Sequence, residues 1–357
     1  MALSCIRLFN QVSVIRLCSS RTNRTKHGVY FQDASHQSRL YLSRNYSSSK
    51  VRQGIARLVS SRLQWVNAKY EGFLKRRFPR FYLLHHTFAQ GFKQLFQDAK
   101  DVRRIKAKMV YEGVTFQDLP YREMEKLRQF RRDLIKAIPL MVICIPPFAN
   151  YFVFVLMYFF PRQLLIPHFW NPKQKAEFQR VYHSFRVQHY RPVLKELEIM
   201  SHQLKNVQLT NLCAKVQSGA NPKVSEILAV KNLFSSAPLG IKMMSVDHMR
   251  RTSPLLFLTP RLPAFLIGRR LNSHALELLQ LDRALSRLGP HQLSDSELRQ
   301  ACYLRGISSD GLGVHQCREW LSQWLQVSSS LKESEVSLLL HTVVFLSANY
   351  PHVPSHH

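Results

Sequence analysis

The sequence is poor in carboxylates, with 22 Asp and Glu against 51 Lys and Arg and a formal net charge of +29. It is also poor in glycine, with 12, and it has no Gly-rich loop of the kind whose backbone amides cradle a phosphate. Its six cysteines stand at positions 5, 18, 144, 213, 302 and 317. None forms a CxxC pair, which excludes a disulfide framework and a zinc pattern. The 16 histidines include no HExxH, and GxSxG and Walker motifs are missing too, so the common hydrolase and nucleotide-binding chemistries have no motif here. No Asp-x-Asp-x-Asp-Gly loop is present, so calcium sensing has no support. The expectation is a protein that is not an enzyme and carries no cofactor or metal. His85, His86, His352, His356 and His357 are read as solvent or interface residues.

What is present is one long apolar run. Ala137 to Phe160 contains 24 residues without a charge, and about 20 apolar residues suffice to cross a bilayer as a helix. The reading is a single-pass transmembrane segment over 137–160; the alternative is a buried helix of a large soluble core. Pro146 and Pro147 would kink such a helix and free carbonyls that need partners. Asn150 is placed to satisfy one of them or to hydrogen-bond a neighbouring helix, which leaves a homo-oligomer open. The flanks are both basic, so charge does not decide the orientation.

The first 60 residues hold ten Arg or Lys and one acid, Asp33. This basic, Ser-rich, acid-poor composition is that of a mitochondrial transit peptide, here expected over 1–46. Arg44 precedes Tyr46 and small residues follow, as at a matrix-processing site. The alternative is a basic tail that binds nucleic acid. Charge stays positive along the chain: 29 basic and 9 acidic residues up to Arg162, then 22 and 13 beyond it. Such an excess favours an anionic membrane, RNA or an acidic protein face.

Between transit segment and span, 47–136 reads as a basic pre-membrane region. Phe88, Phe92, Leu95, Phe96, Ala99, Val102, Ile105 and Met109 recur at helical spacing, and Lys93, Lys100, Arg103, Arg104, Lys106 and Lys108 take the other face. Phe88, Phe92, Phe96, Lys93, Arg103 and Arg104 suit a helix lying on an anionic membrane surface. A helix packed on its own domain fits equally. A second helix is expected from Tyr121 to Lys136, with Pro120 at its start.

Beyond Pro161 the pattern is all-α, with helices expected at 172–189, 192–218, 222–234, 238–251, 274–288, 295–305, 314–326 and 332–348, and 351–357 as a disordered tail. Pro254, Pro260 and Pro263 suggest a break between two sub-bundles. Ser294 and Glu297 form a capping box, Leu293 and Leu298 a hydrophobic staple, and Gly306 a helix stop. Cys302, Cys317, Trp320 and Trp324 are assigned to packing.

The stretch PYREMEKLRQFRRD, the run PPFANYFVFVLMYFFPRQLLIPHFW, and the later Leu298, Ala301-Cys302, Arg305-Gly306 and Trp324-Leu325 resemble the LETM1 family. The resemblance covers roughly residues 60–350. It implies a mitochondrial inner-membrane protein with one span, followed at 161–350 by a helical, ribosome-binding-like domain in the matrix; an outer-membrane anchor is the alternative. It implies ties to mitochondrial ribosomes, respiratory-chain assembly, cristae shape, and cation and proton balance. The exchanger-like members carry a glutamate and a lysine at places held here by Asn150 and Tyr158, so a titrating group is missing from this span.

The expectation is a membrane scaffold or adaptor that contacts membrane lipid and a mitochondrial ribosome or respiratory-chain assembly proteins, with no DNA partner. Lys173, Lys175, Arg180, Arg299 and Arg305 are the candidate basic interaction surface. A subunit or regulator of cation–proton exchange is the alternative. A regulator of growth or of a tumour-suppressor pathway, acting directly or through mitochondrial state, is a further one.

Overall fold

The computed structural model describes Gly72, Lys75, Arg76 and residues 79–143, 167–170 and 172–350. The transit segment, the apolar run from Cys144 onward with Pro146, Pro147, Asn150 and Tyr158, and the tail at 351–357 lie outside these residues. Among the described residues every regular element is helical, and no helix is long and apolar enough to cross a membrane. The chain divides into two compact units, 1–86 with 141–155 and 87–140 with 156–357. In the first, little beyond 79–86 and 141–143 is described. The second holds the hydrophobic core.

Helix α1 (Pro79–Glu112) and α2 (Tyr121–Ile143) are joined by a short turn. Val102 and Ile105 of α1 are buried, as are Leu119, Tyr121 and Met124 around the start of α2. Charge clasps the two helices together. Lys126 pairs with Asp101 and lies 3.5 Å from Asp98, and Lys108 lies 3.8 Å from Glu123. The core therefore does not begin after the apolar run: residues before it pack into the same hydrophobic cluster as the C-terminal helices.

Among the described residues the later helices are α3 (Pro172–Val187), α4 (Tyr190–Gln203), α5 (Val207–Gln217), α6 (Val224–Ala229), α7 (Val246–Thr252), α8 (Ala264–Leu288), α9 (Asp295–Arg305), α10 (Val314–Ser329) and α11 (Ser337–Ser347). The helix expected over 192–218 is two. Lys205 takes a left-handed φ of 51°, and Asn206 caps α5 by accepting from the Leu209 amide at 2.9 Å. The segment 238–245 is not helical; α7 starts only where Ser245 accepts from the His248 amide. Helix α8 begins ten residues before the expected position 274, directly after Pro263. Pro254, Pro260 and Pro263 lie on the short connection between α7 and α8. They do not separate two sub-bundles, because one contiguous core includes residues on both sides of them.

The C-terminal grammar holds. The Glu297 carboxylate accepts from the Ser294 amide at 2.9 Å, and the Ser294 hydroxyl accepts from the Glu297 amide. Leu293 and Leu298 are buried. Trp320 and Trp324 are fully enclosed, their rings stacked 5.7 Å apart. Every residue of α11 is buried. A helix apolar all round belongs at a centre rather than on a surface. Gly306 stops α9 with φ 133°, and a Cβ there would meet Val343 Cγ1 of α11 at 2.8 Å. Glycine is needed at that point for both conformation and approach.

Candidate functional site

Part of the polar chemistry of the interior is spent on structure. Arg305 is wholly buried, its Nη2 2.6 Å from Asp282 Oδ1 of α8. Its Nε donates to the same oxygen at 2.7 Å and its Nη1 to the Ala301 carbonyl at 2.8 Å. Trp324 Nε1 donates to Asp282 Oδ2 at 2.8 Å. One carboxylate thus ties α8, α9 and α10. Burial pushes the Asp282 carboxyl up, and the Arg305 and Trp324 donors oppose that shift. Arg305 is therefore not part of a basic surface: a charge placed among apolar helices survives only when paired.

The other candidates divide. Arg299 Nη1 donates to the Ser309 carbonyl at 2.7 Å, and Arg180 Nε lies 3.4 Å from Asp310. These two arginines come together on one loop, which they brace. Lys173 and Lys175 are exposed at the start of α3. On α1, Lys93, Arg103 and Arg104 are exposed, Arg104 lies 3.2 Å from Asp101, and Phe96 is 57% exposed. The side chains of Phe88 and Phe92 are outside the described residues.

A buried histidine pair links α7 to α11. His341 Nδ1 lies 2.8 Å from the Ser337 carbonyl, which can only accept, so the proton sits on Nδ1. His341 Nε2 then accepts from His248 Nε2–H at 2.8 Å. The Nδ1 of His248 faces Glu196 of α4 at 3.2 Å, with Arg251 at 3.4 Å from the same oxygen. Burial, and then the neighbouring His248, push His341 down to about 3, so it stays neutral. Among the described residues no group of three or more His, Cys, Asp or Glu has a metal-holding arrangement. A pocket of about 320 Å³ includes Arg131, Ser273, Glu277, Gln280 and Glu333 in its wall. Its acids are engaged: Glu277 lies 2.6 Å from Arg131, and Glu333 accepts from Gln280 at 3.2 Å.

A different face is open. Helices α7 and α8 meet where Gly268 faces the Met249 thioether, which leaves 3.3 Å for a Cβ. Met243, on the segment before α7, is 63% exposed, and Phe265, in the first turn of α8, is 71% exposed. Arg261, Arg269 and Arg270 are exposed, and no carboxylate among the described residues pairs with them. Large apolar side chains beside unpaired arginines are the composition of a contact surface. Sequence reading missed it. The signal was there in Phe265 and Arg269, one turn apart just after a proline-rich loop.

A family model described as LETM1-like, RBD matches residues 119–345. The chain is 52% identical over 316 residues to the LETM1 domain-containing protein 1 of Xenopus tropicalis, covering 87% of this chain and 90% of the relative. It is 48% identical over 296 residues to the human LETM1 domain-containing protein 1, covering 82% of each. It is 26% identical over 276 residues to the mitochondrial proton/calcium exchanger protein of Drosophila melanogaster, covering 74% of this chain and 26% of the relative.

Proposed function

The chain belongs to the LETM1 family, and on that premise we propose that it is a mitochondrial membrane-anchored adaptor. In this reading the run 137–160 crosses the inner membrane and holds the helical unit beside it in the matrix. The unit contacts an anionic partner, the mitochondrial ribosome or a respiratory-chain assembly protein, through its basic surface. The observation that carries the reading is the start of α8 and the loop before it, where Arg261, Arg269 and Arg270 are exposed and unpaired among the described residues and Phe265, one turn from Arg269, is exposed as well. The arginines supply long-range attraction and the apolar side chains supply contact. Lys173 and Lys175 add exposed positive charge.

The test is affinity purification of the tagged full chain from gently solubilised mitochondria, with and without RNase and at two salt concentrations. Capture of ribosomal proteins that falls with RNase or salt is the expected result. Assembly factors without ribosomes keep the adaptor and remove the translational partner. Capture of neither class sinks the reading.

The name of the Drosophila relative favours a second reading, a subunit or regulator of cation–proton exchange. The chain covers only 26% of that protein, and Asn150 and Tyr158 provide no carboxylate or amine within the run. Cation flux in proteoliposomes holding only this protein decides between the two.

A further inference from the structure

Arg128 and Arg132 lie one turn apart on α2 and so share a face. Arg132 Nη2 is 2.9 Å from His274 Nδ1 on α8. A guanidinium only donates, so Nδ1 accepts and the His274 proton sits on Nε2. That Nε2–H is buried and has no acceptor. Arg128 is 4% exposed; its Nη1 reaches Glu125 at 3.3 Å while its Nη2 is buried without an acceptor. Arg186 of α3 is fully buried, and its Nε has no acceptor either. No carboxylate among the described residues pairs with it, its guanidinium lying 4.1 Å from the Phe257 ring centroid.

The nearby acids do not balance this. Glu125 is taken by Arg128 and Glu277 by Arg131 at 2.6 Å, while Asp133, buried next to Arg132 on α2, has an interaction of its own, and its Oδ2, which accepts no hydrogen bond, is one acceptor against the three donor atoms above. Burial first, then the charges of Arg132, Arg128 and Arg186, hold His274 well below the ordinary histidine range. Burial, then Arg128, brings Arg132 down to about 10. Buried donors in excess over acceptors, with like charges pressed together, are strongly unfavourable unless an anion joins them.

We propose that Arg128, Arg132 and His274 form a phosphate-binding site, filled by a phosphate ester of a lipid headgroup or of a soluble molecule. A tetrahedral phosphate offers acceptors in several directions, which suits donors arriving from two helices, and arginine is the side chain matched to it. The lipid source rests on the membrane reading above: Arg132 precedes Ala137 by five residues, about 7.5 Å along a helix, which places it at headgroup depth.

The experiment is thermal unfolding of the full chain in a non-ionic detergent. Inorganic phosphate is titrated against chloride at equal ionic strength, and in a second arm cardiolipin against phosphatidylcholine. The expected result is a saturable rise in Tm. Loss of charge-assisted hydrogen bonds in Arg132→Gln should weaken the affinity about tenfold or more, while Lys195→Gln, at an exposed position of α4, leaves it unchanged. A rise with inorganic phosphate supports a soluble source; a rise with cardiolipin alone supports the headgroup. No rise beyond the controls, or an equal rise in Arg132→Gln, overturns the proposal. Should that variant not fold, the His274 imidazole is titrated by NMR in the unaltered chain. An upward shift with the anion supports the site and an unmoved titration overturns it. Arg132→Gln that loses phosphate yet still captures the partner separates this site from the adaptor reading.

Discussion

Arg305 and Asp282 meet at 2.6 Å with no solvent reaching either side chain. Removing one partner strands the other as an uncompensated buried charge. Asp282→Asn or Arg305→Gln should each cost about 3–5 kcal/mol, read as a lower midpoint in chemical denaturation. The double variant Asp282→Asn with Arg305→Gln should be less damaged than the two costs added together. Strict additivity would mean that the two side chains do not stabilise each other.

Gly306→Ala should destabilise by about 1–3 kcal/mol, the usual range for a strained backbone position. It forces a side chain into φ 133° and against Val343. Thermal unfolding measures it, and an unchanged Tm would show that α9 and α11 can part at no cost.

Stability should fall with acidity below the ordinary histidine range. His341 binds its proton at about 3 when folded and at 6.5 ordinarily. Between those values the unfolded chain holds a proton that the folded chain refuses. The contribution is therefore complete above pH 6.5 and is lost as pH falls, at about 1.4 kcal/mol per pH unit for each such histidine. His274 works in the same direction, and so does Glu196. Burial raises the Glu196 carboxyl, but the bond from His248 and the charge of Arg251 bring it down overall. Urea midpoints followed from neutral pH downward test this. His341→Gln should remove close to one proton from the slope, and an unaltered slope would place the titration elsewhere.

Charge reversal of Arg261, Arg269 and Arg270 to Glu should leave Tm unchanged, since none is paired among the described residues. It should weaken capture of an RNA partner and lower the salt slope of binding by about one unit per arginine. Sedimentation across a salt series reads both. Intact capture with an intact slope would move the interface to another face.

The parts legible from sequence are those written locally. The Ser294–Glu297 box lies within four residues, and the spacing of Cys317, Leu321, Trp324 and Leu325 marks one buried stripe on α10. Arg305 was misplaced because an arginine is exposed by default, and its partner lies 23 residues upstream on the apolar face of α8. The only hint was an acid, Asp282, among Leu278, Leu279, Leu281 and Leu285. The break before Asn206 was masked by apolar spacing that continues across it. Gly268 and the arginine pair at 269–270 diluted the helical pattern that starts α8. The open α7–α8 face and the grouping of Arg128, Arg132 and His274 depend on which helices meet, which no local window contains.

Because α11 is covered on every side, the core cannot close until the last helix is in place. Its contacts reach far back along the chain: Ser337 to the Leu239 carbonyl, His341 to His248, and the Val343 side chain against Gly306. If the unit is threaded into the matrix from its N-terminal side, the earlier helices must wait, their apolar faces uncovered, until residue 347 has arrived. Chaperone demand should therefore peak late in import.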